Sequence, residues 1–78
     1  MGIIVFFEEE DGDYSGYIDT RITPNKDLVI GIGDNKEEFI SSIKEGIKDM
    51  VEHEWSNTEW AKIPLSEIVL TLVPLPKE

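Results

Sequence analysis

Five carboxylates, Glu8, Glu9, Glu10, Asp11 and Asp13, crowd into one short run interrupted only by Gly12. Acids at that density hold a cation or face a basic partner. The segment Asp11-x-Asp13-x-Ser15-Gly16-x-Ile18-Asp19 matches positions 1, 3, 5, 6, 8 and 9 of an EF-hand calcium loop. Position 12, however, falls on Ile22 where that loop needs a bidentate glutamate, and no helical pattern flanks residues 11–22. A hairpin with an acidic turn accounts for the segment better. A two-metal nuclease site would need carboxylates converging from separate strands. The centre of the first apolar run is Val5-Phe6, and the last strand carries no acid after Glu67. His53 is the only histidine, set between Glu52 and Glu54, with no cysteine or serine nucleophile motif to work with, and reads as a surface residue. Gly31-Ile32-Gly33 precedes a helix as a phosphate loop would, yet Asp34, Glu37 and Glu38 in the next turn repel phosphate. These side chains point to contact, not catalysis. We expect no enzyme activity and no cofactor or metal.

The elements that must carry these residues follow from periodicity. Ile3-Ile4-Val5-Phe6-Phe7 is β-branched and aromatic and predicts a strand covered at least in part on both faces. Asp11-Gly12 is a hairpin turn signal. Tyr14 to Thr20 predicts a second strand, with Tyr14, Gly16 and Ile18 on one face and Ser15, Tyr17 and Asp19 on the other. Thr23-Pro24-Asn25-Lys26 predicts a turn. Asp27 to Ile32 predicts a third strand, with Leu28, Ile30 and Ile32 together on one face. Phe39, Ile40, Ile43, Ile47, Met50 and Val51 then recur at helical spacing. Asp34 is placed to cap that helix, with Glu37 completing a capping box. Gly46 within the apolar stripe fits a sheet lying close beneath the helix, because glycine there otherwise costs about 1 kcal/mol against alanine. The helix should fade near Glu54 or Trp55, with Trp60 and Ile63 packing back. Leu65 to Leu75 predicts the last strand, Ile68, Leu70 and Leu72 alternating with Val69, Thr71 and Val73.

The expected fold is therefore α+β: one βββαβ domain over residues 1–78, an antiparallel meander with the fourth strand beside the first. One amphipathic helix covers a single sheet face, meeting inward residues that include Ile18, Ile30 and Leu70. The other face, with Val69, Val73 and part of the first strand, is left for a second subunit or a partner. At 78 residues such a core is near the marginal size, and without cysteine no disulfide supplements it. A content of 40% hydrophobic and 31% charged residues argues against disorder. No apolar stretch approaches the roughly 20 residues that span a bilayer, and residues 3–7 lack the basic flank of a signal peptide. A cytoplasmic location is expected. The net charge of −10 opposes binding to nucleic acid or anionic membrane and favours a basic partner, or simply confers solubility.

Three of these segments resemble the HicB-type antitoxins. Phe7-Glu8-Glu9-Glu10-Asp11-Gly12-Asp13-Tyr14-Ser15-Gly16-Tyr17-Ile18 is similar to that family's opening hairpin, an apolar strand followed by an acidic Asp-Gly turn and a Tyr-Ser strand. Gly33-Asp34-Asn35-Lys36-Glu37-Glu38 resembles its Gly-Asp-Thr-x-Glu-Glu helix start, and Ile43-Lys44-Glu45-Gly46-Ile47 its apolar-Lys-Glu-Ala-Ile pattern. The resemblance covers about residues 3–55. It implies a partial ribonuclease-H-like domain, usually dimeric, that sequesters a basic HicA-type ribonuclease toxin. Asp19-Thr20-Arg21-Ile22-Thr23-Pro24-Asn25 stands where the family has Pro-Asp-Leu-Pro-Gly, and Phe39 replaces a small alanine. No separate DNA-binding domain is expected, so operator binding is not carried over. The expected partner-binding residues are Glu8, Glu9, Glu10, Asp13, Tyr14, Tyr17 and Trp55, and a homodimer is expected. An acidic inhibitor or nucleic-acid mimic aimed at another basic protein is the alternative, ahead of a calcium-binding hairpin.

Overall fold

The computed structural model describes residues 1–76 and has the order βββαβ. The strands are β1 (Gly2–Glu10), β2 (Asp13–Ile18), β3 (Ile30–Gly33) and β4 (Val69–Pro74), and the helix α1 spans Lys36–Glu52. Their order across the sheet is β3-β2-β1-β4. The first three strands form an antiparallel meander, and β4 lies parallel to β1 with Ile3 opposite Leu70 and Val5 opposite Leu72. Antiparallel neighbours need only short turns, whereas the parallel step from β3 to β4 requires the crossover that α1 supplies. Among the described residues, no helix is long and apolar enough to cross a membrane.

The two-residue turn Asp11-Gly12 has positive φ at both positions, 53° and 89°. A type I′ turn needs that geometry to match the twist of the strands it joins. Residues 13–18 continue as extended, doubly paired strand. That backbone is not the compact loop through which an EF-hand wraps calcium.

Helix α1 begins one residue later than Asp34 predicts. Asn35 is the N-cap, its Oδ1 accepting from the Glu38 N–H at 2.9 Å. Glu38 Oε1 reaches back to accept from the Asp34 N–H at 3.1 Å, so the acid of the box is Glu38 and not Glu37. The helix ends at Glu52 with His53 as C-cap, slightly short of the expected end.

Phe39, Ile43 and Ile47 on α1 close over Ile3, Val5, Ile18, Val29 and Ile68. The β3 phase is the reverse of the expected one. Val29 and Gly31 face the helix, while Ile30 is 61% and Ile32 68% exposed on the far side, with Leu28. The reason is distance. A Cβ on Gly31 would lie 2.6 Å from Ile43 Cγ1, and one on Gly46 would lie 2.7 Å from Val29 Cγ1. The helix sits so close to β3 that only the small-residue phase fits beneath it.

The chain between α1 and β4 is built of 3₁₀ turns at Glu59–Lys62 and Leu65–Glu67, so the last strand is shorter than residues 65–75 suggest. Trp55 and Trp60 pack 4.8 Å apart between ring centroids at one end of the core. Trp55 is fully buried, and its indole N–H donates to Asp27 Oδ2 at 3.0 Å.

Candidate functional site

Strand alternation sorts the candidate residues onto two faces. On β1 the odd positions Ile3, Val5 and Phe7 turn toward α1, and the even positions Ile4, Phe6, Glu8 and Glu10 turn away. The pairs Phe6–Tyr17, Glu8–Ser15 and Glu10–Asp13 then place Tyr17, Ser15 and Asp13 on the same open face. Ile30 opposite Tyr17 and Val73 beside Phe6 extend that face across all four strands.

The open face is apolar at its middle and acidic at one end. Phe6 and Tyr17 pack with ring centroids 5.8 Å apart, flanked by exposed Ile30, Ile32, Ile4 and Val69. Beyond them, Glu8, Glu10, Asp11, Asp13 and Ser15 line one shallow concavity at the hairpin tip. No lysine or arginine forms an ion pair with these acids among the described residues. Their field is therefore directed outward, limited by solvent and salt.

The seven expected partner-binding residues do not form one patch. Glu8, Glu10, Asp13 and Tyr17 share the open face. Glu9 lies opposite Tyr14 on the helix side of the sheet. Tyr14 is half-buried there, stacked on Phe7 at 5.7 Å and on Phe39 at 6.0 Å, and serves the rim of the core. Trp55 has no exposed surface and is a core residue, so it offers nothing to a partner in this structure. Its burial follows from Asp27, which satisfies the indole N–H and removes the reason for it to sit at an interface.

Phe6, Leu28, Ile30 and Ile32 belong to the open face, although the sequence pattern names none of them as partner-binding and turns Ile30 inward. Gly31 and Gly33 carried the signal. Small residues alternating with bulky ones next to a glycine-bearing helix mark the side on which the helix sits.

Near the other end of β2, Asp19 makes a bidentate pair with Arg21. Nε–H donates to Oδ1 at 2.9 Å, Nη2–H to Oδ2 at 2.7 Å, and the Arg21 backbone N–H also donates to Oδ1 at 3.0 Å. The Arg21 side-chain hydrogen bonds, helped by its backbone N–H, hold the Asp19 carboxyl below the usual carboxylate range. This acid is committed to shaping its own turn. His53 is exposed at the helix end, 3.7 Å from the equally exposed Asp49. Among the described residues, no three His, Asp or Glu side chains converge as a metal cluster would.

No family model, curated protein or solved structure matches this chain.

Proposed function

We propose that this chain works by protein–protein contact, as a HicB-like antitoxin-type domain that binds and neutralises a basic HicA-type ribonuclease toxin in the cytoplasm. The observation that carries the reading is the open sheet face, whose aromatic and aliphatic middle runs directly into a hairpin tip whose acids form no ion pair among the described residues. An apolar patch of this kind supplies binding energy once desolvated, and the acids select and steer a positively charged partner. The three segments similar to HicB antitoxins support the choice of a ribonuclease toxin as that partner. In this reading the domain has no catalytic step. It blocks the toxin by covering the basic surface that would otherwise hold RNA.

The test is RNA cleavage by a HicA-type toxin in the presence of the wild-type chain and of a quadruple variant, Glu8→Lys, Glu9→Lys, Glu10→Lys and Asp13→Lys. Wild type should abolish cleavage, and the variant should fail to do so while melting at nearly the same temperature. Full inhibition by the lysine variant would reduce the acidic tip to a solubilising turn.

A further inference from the structure

The two edges of the sheet are not equivalent. At the β3 edge the Ile32 N–H donates to Ser42 Oγ at 3.1 Å, so a helix side chain occupies that edge amide. Among the described residues, nothing does the same at the β4 edge. Val69 N–H donates to the Met1 carbonyl and Leu75 N–H to the Phe7 carbonyl, both at 2.8 Å, which turns the odd positions of β4 toward β1. By the alternation of a strand, the N–H and C=O groups of Leu70 and Leu72 point outward from the last strand of the sheet. An unpaired edge of this kind is a template for another strand.

We propose that this edge pairs with the same edge of a second copy, joining two four-stranded sheets into one of eight strands. Charge selects the occupant. Ile68 to Pro76 is the longest stretch of the sequence without a charged residue, in a chain of net charge −10. It is where two such acidic molecules approach with least repulsion. The ends of the edge select the register. The Ile68 N–H already donates to the Leu65 carbonyl at 3.1 Å, and Pro74 has no N–H to give. Only Leu70 and Leu72 remain as outward donors within the strand. A two-fold antiparallel pairing centred on Thr71 uses them fully, with Leu70 opposite Leu72 of the second copy and four backbone hydrogen bonds. The two-fold axis then runs perpendicular to the sheet, so both helices lie on one side and both open faces on the other. The dimer leaves the open faces free and sets them side by side. It does not depend on which partner those faces bind.

Thr71 is exposed and would lie against its own copy about 4.5 Å away between Cα atoms, as in any non-hydrogen-bonded antiparallel pair. Like charges placed there repel across the axis, and opposite charges attract. Light scattering of the full chain at high micromolar concentration should give twice the monomer mass for wild type. Thr71→Lys and Thr71→Asp should each give the monomer mass with wild-type circular dichroism, and an equal mixture of the two should return to the dimer mass. A monomeric wild type, dimers that persist in both variants, or a mixture that stays monomeric would each overturn the pairing.

Discussion

Asp19 shows how one carboxylate, set apart from the acidic run of residues 8–13, is committed by its neighbours. Its side chain is 6% exposed while that of Arg21 is 77% exposed, so the acid is fixed and the arginine comes to it. With its folded-state pKa held down by Arg21, Asp19 contributes stability that is fully present above the ordinary carboxylate range. That contribution is lost as pH falls through the lowered value. Asp19→Asn should therefore melt below wild type at neutral pH, and the gap should close as acidification carries the pH through the lowered value. A gap that stays constant in a pH series of thermal melts would mean the pair does not contribute in this way. The acids of the hairpin tip differ among themselves too. Glu8 and Glu10 share the open face with Asp13, whereas Glu9 faces the other side. Stopped-flow association with a basic HicA-type toxin should slow more for Glu8→Lys than for Glu9→Lys, and equal slowing would move the contact off the open face. Both variants should fold normally, because exposed acids of this kind contribute little to stability.

At the scale of elements, the helix and β3 are set by how closely they approach each other. Ile47 is fully buried between α1 and the sheet, and Ile47→Ala should cost about 2–5 kcal/mol through lost transfer energy and the cavity left behind. Ile30, one strand away and mostly exposed, should tolerate Ile30→Ser within about 0.5 kcal/mol. Chemical denaturation of the two variants reads both values, and similar losses would restore the phase in which Ile30 points inward. Gly46→Leu should destabilise by about 1–3 kcal/mol, since the added atoms enter the space of Val29. The order βββαβ, the Asp-Gly turn and the helix stripe were legible because hydrophobic period and turn chemistry are local signals. The phase of β3 was not, since Leu28, Ile30 and Ile32 form the more hydrophobic set and only the proximity of α1 excludes them. Trp55 was ambiguous for a similar reason. Whether an indole anchors a partner or a core depends on where its N–H finds an acceptor, and Asp27 lies 28 residues away in sequence. Of the candidate site, the acidic tip and Tyr17 were legible from residue type. The aromatic pairing with Phe6 required the β1–β2 register.

The whole molecule is a sheet covered on one side, with a net charge of −10 and four of its 17 acids, Glu8, Glu10, Asp11 and Asp13, gathered at one end of the uncovered side. Long-range attraction acts before contact, so association with a basic partner should slow steeply between low and physiological salt. Dissociation should respond instead to truncation of the apolar middle of the face, with Phe6→Ala and Tyr17→Ala releasing the partner faster. The central claim is that the open face is the contact surface, and amide hydrogen exchange of the full chain with and without a HicA-type toxin tests it most directly. Binding should slow exchange in the hairpin tip and along the open-face positions of β1, β2 and β3. The outer face of α1, around Ser41 and Glu45, should exchange as in the free chain. Protection confined to that helix face, with the hairpin and sheet unchanged, would contradict the account.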